Sequence, residues 1–307
     1  MDWKLQLKEQ GVLVSDGAWG TQLAARGLPA GTVPETWNAE NPRAVEAVAR
    51  AYVEAGSTII LTNTFGGSRL KLAKANLADL AADLNRRGAE ISCRAAAGRA
   101  LVFASIGPTG EFMAPLGTLS RQAFIDAFAE QAAACVAGGA DGLCIETMSA
   151  LEEADAALAA ARQAADVPVV VSMTFSRGPK GFATMMGVRP EQAAAALDLA
   201  GADIVGSNCG NGIAGMIEVA RLFRGATNRP VWIKPNAGMP QLVAGQTVFP
   251  ETPEEMADQV AALIEAGANI VGGCCGTTPD HLRAMADAAR AARGAARVAG
   301  RKVLDAL

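Results

Sequence analysis

Two of the six cysteines in this 307-residue chain are adjacent, Cys274 and Cys275 within GGCCGTTPDH at 272–281. Neighbouring thiols fill a core poorly. They suit a vicinal disulfide, a redox couple, or a pair of ligands to one metal. A third cysteine, Cys209, lies in SNCGNG, and the chain has a single histidine, His281. That scarcity argues against Ser-His-Asp, Cys-His and multi-histidine chemistry, and leaves sulfur and oxygen as metal ligands. Three thiolates converging on one point fit zinc, at about 2.3 Å per Zn–S bond, with a fourth position open. Such a centre carries a net charge of −1 and activates water weakly. A substrate thiol entering the open position instead loses its proton, which supplies a sulfur nucleophile at neutral pH from a group of ordinary pKa about 8.5. The chemistry indicated is thiol alkylation rather than hydrolysis, with the disulfide and redox readings as alternatives. Cys93 and Cys135 fall in helical segments and Cys144 in a strand, where a cysteine serves as a small buried hydrophobe.

Bringing Cys209 to the Cys274–Cys275 pair requires a repeating scaffold, and the chain has one. Short β-branched runs predict eight strands, at 11–14, 58–61, 101–106, 142–146, 167–174, 203–207, 230–234 and 269–273. Alanine-rich segments of helical period lie between them. Helices are predicted over 41–56, 120–139, 149–165, 252–267 and 278–293, with Asn-Pro or Thr-Pro starts, a serine cap at Ser120 and a capping box from Ser149 to Glu152. "EAG" then "STIIL", and "EAG" then "ANIVGG", repeat one grammar, a helix stopped by glycine and followed at once by a buried strand. Eight such units predict a single α/β domain over 1–307, a (β/α)8 TIM-type barrel with its core at about 10–292. A doubly wound open sheet is the competing architecture, and no dinucleotide fingerprint supports it. The tail at 293–307 has no assigned place.

Chemistry in such a barrel sits on the loops after the strands. Those positions hold Asp16 and Gly17, Asn63, the GPTG at 107–110, Glu146, Thr174, Cys209, Asn236, and Cys274 with Cys275. The zinc site is therefore expected at the C-terminal rim, flanking glycines letting the backbone turn so that both neighbouring thiols face one ion. Asp16 reads either as a turn residue or a substrate ligand, Glu146 as a strand-end charge or a substrate ligand; sharing one rim favours the ligand reading. Asn63 either touches substrate or shapes its loop. His281 reads as a surface or loop-stabilising residue. The Met-rich stretch at 173–187 reads as core filler or as an apolar wall excluding water.

Net charge is −4 with no basic block, which argues against nucleic acid and anionic membranes as partners. The longest apolar runs are strand-sized and MDWKLQLKEQ has no signal pattern. With few cysteines, this suggests a reduced, cytoplasmic protein.

Together, DGAWGTQL, TNTFGGS, SIGPTG, Glu146, SNCGNG, KPNAGMP and GGCCGTTPDH resemble the homocysteine S-methyltransferase family, which includes the homocysteine-binding domain of cobalamin-dependent methionine synthase and betaine–homocysteine methyltransferase. The resemblance covers roughly 10–292 and implies a barrel whose zinc is held by Cys209, Cys274 and Cys275, with Asn236 a fourth ligand in the absence of substrate or a close neighbour. It implies that Glu146 binds the ammonium of homocysteine and that the Asp16-Gly17 loop takes part. Backbone N–H groups of these loops would take the carboxylate. The donor is less determined. No cobalamin-binding motif is present, and Tyr52 and Trp19 make no aromatic cage for betaine. SNCGNG and KPNAGMP look closest to the cobalamin-dependent branch, implying a methylated corrinoid, or a methyltetrahydrofolate-derived methyl, presented by a partner protein. Betaine and sulfonium donors are the alternatives, and a non-catalytic zinc-binding barrel is the alternative of another class.

Overall fold

Alternation of side chains along the strands determines what lies inside the barrel and what lies under its helices. The computed structural model describes residues 2–243 and 245–298; residues 299–307 of the tail lie outside the described residues. Eight strands form one sheet: β1 (Leu13–Val14), β2 (Ile59–Ile60), β3 (Leu101–Ile106), β4 (Gly142–Met148), β5 (Val169–Met173), β6 (Ile204–Asn208), β7 (Val231–Lys234) and β8 (Ile270–Val271). Each is parallel to its neighbours in chain order, and β8 pairs with β1. One parallel bridge, Ser15 to Ile59, joins β1 to β2 and completes the ring. The barrel, not the open sheet, is the observed architecture.

Leu13, Ile59, Leu101, Phe103, Cys144, Val170, Ile204, Trp232 and Ile270 share one buried cluster inside the ring. Their sequence neighbours Val14, Ile60, Val102, Leu143, Ile145, Val171, Val205, Ile233 and Val271 belong to the larger cluster under the helices. Both faces of every strand are thus apolar, as a covered parallel sheet requires. Phe103 meets Trp232 edge to face at 5.8 Å between ring centres. Trp3 and Leu7, from an N-terminal helix at Trp3–Gln10 that the sequence did not suggest, join the inner cluster.

The outer helices are Pro42–Glu54, Ala81–Ala96, Arg121–Ala137, Leu151–Ala164, Pro190–Leu199, Ile213–Ala226, the pair Pro253–Asp258 and Val260–Glu265, and Pro279–Val298. Ser120 caps its helix as expected, accepting from the Ala123 N–H. The capping box expected at Ser149 is absent: the N-cap is Ala150 and makes no side-chain bond. Glu153 turns away and accepts from both the N–H and the hydroxyl of Thr109 at 2.8 Å, tying down the loop after β3. A reciprocal box does form between Thr252 and Glu255. The helix expected over 252–267 is broken at Gln259.

Two loops carry small antiparallel hairpins, Ser176–Gly178 with Gly181–Ala183 and Gln241–Val243 with Gln246–Val248. The first lies within the Met-rich stretch. Met173 is buried in β5, whereas Met185 is 80% exposed, and neither lines the main cavity. The apolar-wall reading of that stretch is therefore not realised.

Candidate active site

Following the inward-facing row of each strand one or two residues beyond the apolar core gives the floor of the site. Leu13 is succeeded by Ser15, Phe103 by Ser105, Cys144 by Glu146, Val170 by Ser172, and Trp232 by Lys234, while Ile204 leads through Gly206 to Asn208. All of these polar residues are buried. Asp16, Asn63, Cys209, Asn236, Cys274 and Cys275 stand at the same ends, so the structure brings every residue expected from sequence to the C-terminal side of the barrel. A cavity of about 620 Å³ opens there, lined by Gly17, Trp19, Asn63, Phe65, Ser105, Glu146, Lys234, Cys209, Cys274 and Cys275 among others.

Cys209, Cys274 and Cys275 converge, their sulfurs all within 4.8 Å of one another. The Cys209 and Cys275 sulfurs are 3.8 Å apart. Ligands at about 2.3 Å around a tetrahedral ion would be separated by about 3.8 Å, so the spacing fits zinc. All six cysteines are free, and the vicinal disulfide is not formed. Asn236 is 4% exposed and its Oδ1 has no hydrogen-bond partner. A buried acceptor left open beside three thiols suits a fourth ligand position. The Cys209 pKa is held well below the usual thiol value by bonds from Cys274, Cys275, the Gly210 N–H and Asn236, which outweigh burial. Bonds with Cys209 and Cys274, together with burial, push the Cys275 thiol pKa up.

The backbone geometry at this corner differs from the expected turns. Cys209 itself adopts a left-handed conformation, φ 61°, followed by Gly210 at 72°, and its N–H donates to the Lys234 carbonyl. Gly272 and Gly273 do not have positive φ. They are needed for close approach, because a Cβ would lie 1.9 Å from Ser15 Oγ and 2.4 Å from Thr277 Oγ1 respectively. Only Gly276, φ 81°, supplies the turn.

The cavity that the thiols line also carries a charged group that the sequence reading half anticipated. Asp16 is fully buried, and its Oδ2 accepts from the Leu61 N–H at 2.7 Å and the Trp19 indole at 2.8 Å. Glu146 Oε1 accepts from the Ser105 hydroxyl at 2.6 Å. Between the two carboxylates stands Lys234, whose Nζ is 3.5 Å from Asp16 Oδ1 and 3.6 Å from Glu146 Oε2. Burial works against the ammonium, but Glu146 and Asp16 outweigh it and raise its pKa above the ordinary lysine value. Burial raises the Asp16 pKa, with Lys234 and the two N–H donors opposing. Lys234 was missed from sequence, although it stands two residues beyond Trp232 on the same inward row.

Glu146 is aimed by a β-bulge. Ile145 pairs with Val171 but Met148 with Met173, so β4 carries one extra residue, and Thr147 takes φ 65°. A β-branched residue there is strained. Asn208 secures it: its Oδ1 accepts from the Thr147 N–H (2.9 Å) and the Ser172 hydroxyl (2.7 Å), and its Nδ2 donates to Thr147 Oγ1 at 2.7 Å. The same amide nitrogen lies 3.7 Å from Cys274 Sγ. One side chain therefore links the carboxylate wall to the thiol corner.

Asn63 lines the cavity, and its amide nitrogen shapes the loop by donating to the Pro34 carbonyl and Asn38 Oδ1. His281 is 7% exposed rather than superficial. Its Nδ1 faces Thr278 and its Nε2 faces the Glu251 carbonyl, so it stabilises the loop and does not join the thiols.

Fold and site together define a (β/α)8 barrel with a three-thiol corner and a buried charged group at the same end of the strands. A model of the homocysteine S-methyltransferase family matches residues 13–289, and the chain belongs to that family. Methionine synthase of Mycobacterium leprae is 36% identical over 304 residues, covering 92% of this chain and 25% of that protein. Methionine synthase of Mycobacterium tuberculosis is 35% identical with the same coverage. The chain thus spans about a quarter of the length of these relatives. Among solved structures, the homocysteine methyltransferase MmuM of Escherichia coli in its metallated form superposes with a TM-score of 0.78 at 24% identity, over 92% of this chain and 98% of that one.

Proposed function

We propose that this chain is a zinc-dependent S-methyltransferase that moves a methyl group onto the thiol of homocysteine to give methionine. The observation that carries the reading is the three-thiol cluster, its sulfurs within 4.8 Å of one another and one pair at 3.8 Å, with the unpartnered Asn236 Oδ1 beside it. Cys209, Cys274 and Cys275 would hold the ion, with Asn236 as fourth ligand or neighbour. Bound there, zinc would supply acidity toward a substrate thiol, lowering its pKa so that sulfur attacks as thiolate.

The chain's own residues perform the remaining tasks. Glu146 receives the substrate ammonium and the Asp16-Gly17 loop takes part, with Ser105 holding the Glu146 carboxylate and Trp19 that of Asp16 through their hydrogen bonds. Backbone N–H groups of the loop that includes Gly17 are assigned to the carboxylate. Leu61, Trp19 and Phe65 line the cavity with apolar surface, limiting water around the reacting sulfur. A single amino acid fills only part of about 620 Å³, leaving space for a methyl donor.

The donor we infer is a methylated corrinoid, or a methyltetrahydrofolate-derived methyl, presented by a partner protein or domain; the likeness to methionine synthases supports it. An aromatic cage suits the quaternary ammonium of betaine, and a sulfonium donor is the alternative to which that argument does not apply. Among the described residues, the cavity carries two aromatic rings, Trp19 and Phe65, too few for a cage, and the Lys71 ammonium lies 5.2 Å from the Phe65 ring centre. A non-catalytic zinc barrel is the remaining reading, and it predicts a metal that ignores thiols. The reduced, cytoplasmic setting belongs to this proposal too; among the described residues, no helix is long and apolar enough to cross a membrane.

Cys275→Ala tests the reading. The variant is expected to keep its circular dichroism spectrum, bind less than one-tenth of the wild-type zinc and lose methyl transfer to homocysteine from methylcobalamin. Zinc content and turnover equal to wild type would overturn it.

A further inference from the structure

Lys234 places a protein ammonium between Glu146, assigned to the substrate's ammonium, and Asp16 of the neighbouring loop. It is buried, and among the described residues its Nζ makes no hydrogen bond. The two ion-pair distances, 3.5 and 3.6 Å, exceed the roughly 2.7–2.9 Å of a charge-assisted hydrogen bond. The ammonium therefore retains donor capacity for an anion entering from the cavity that it lines.

We propose that Lys234 is a specificity-determining residue that makes the substrate's own ammonium dispensable, so that the pocket accepts ω-mercapto carboxylic acids as well as homocysteine. The inference rests on the reading of Asp16 and Glu146 given above. Two buried carboxylates need a cation, because an uncompensated buried charge is costly. Without Lys234 that cation would have to arrive with the substrate. A site built in this way rejects analogues lacking the group by orders of magnitude, since its own polar atoms are left unpaired. With Lys234 present, the carboxylates are paired before any thiol binds. A substrate ammonium is still welcome at Glu146, and an analogue that lacks it leaves neither carboxylate unpaired.

The test compares homocysteine with its desamino analogue γ-mercaptobutyrate, which has the same thiol, carboxylate and chain length. Each is titrated by calorimetry into the zinc-loaded chain, wild type and Lys234→Met, with Lys234→Gln as a second neutral variant. In the wild type the two affinities are expected to differ by less than about tenfold, which is about 1.4 kcal/mol. In the variants the preference for homocysteine is expected to widen by a further factor of about ten or more. A wild-type preference above tenfold overturns the proposal, as does an unchanged ratio in a folded variant. If neither variant folds, the wild-type ratio decides alone. Failure of both thiols to bind the wild type would instead overturn the thiol-site reading itself.

Discussion

Replacing Asn208 with alanine should weaken the fold and the site together, because its side chain makes two hydrogen bonds to the strained end of β4 and a third to β5. The amide is 1% exposed. Its loss removes the bonds to the Thr147 N–H, the Thr147 hydroxyl and the Ser172 hydroxyl. Each is worth about 1 kcal/mol net. Ser172 is buried and stays unpaired, whereas Thr147 lines the cavity and can be hydrated. The expected cost is about 3 kcal/mol. Unfolding entropies near 2.1 cal/mol/K per residue convert this to a fall in Tm of about 5 °C for a chain of this size. Thr147 is then free to leave φ 65°, which swings Glu146 away from Lys234. Homocysteine binding should therefore weaken roughly tenfold or more, beyond what lost stability explains. The assay is differential scanning calorimetry followed by thiol titration at a temperature where the variant is fully folded. A Tm within 1 °C of wild type, or unchanged homocysteine affinity, would refute the role given to this amide.

Three further outcomes follow from the same geometry. Glu146→Gln removes the charge that pairs with an incoming ammonium while keeping an acceptor for Ser105, so homocysteine KM should rise about tenfold with zinc content unchanged; zinc loss by elemental analysis would show that Glu146 serves the metal. Gly276→Ala places a Cβ 2.2 Å from the Phe249 ring at φ 81°; left-handed strain of about 1–2 kcal/mol and overpacking of about 1–3 kcal/mol should lower Tm by several degrees and reduce zinc uptake, and a wild-type melting curve would contradict this. Burial raises the Glu35 pKa from 4.5, opposed by the Gly66 N–H and Lys71. A carboxyl whose folded pKa is raised contributes stability that is whole below the unfolded pKa and is lost as pH rises through the folded value. Glu35→Gln should therefore flatten the Tm–pH profile above pH 4.5 relative to wild type, and identical profiles would exclude it.

The barrel was legible in the chain because both signals it needs are local. Strand-sized β-branched runs such as LVFASI and VPVVVSM alternate with helices stopped by glycine, and short connections leave little freedom in topology. The rim residues followed, since a strand's end locates them without knowledge of packing. The hairpins and the helix at Ala81–Ala96 were less visible. The hairpins lack long alternating runs, and that helix carries polar residues, Asn85 and Ser92, on its buried side, which blurs its period.

What sequence determined by itself was the identity of the groups: three rim cysteines without a histidine partner, two acidic strand ends, and an asparagine after β7. Tertiary structure decided how these groups pair. Lys234 lies nearly ninety positions from Glu146, and only the ring closure that sets β7 across from β4 puts its ammonium between Asp16 and Glu146. The bulge at Thr147 and the left-handed turn at Cys209 were likewise invisible, because neither residue type favours such a conformation locally. Contacts with Asn208 and the Lys234 carbonyl hold them there, and those partners are brought near only when the barrel closes.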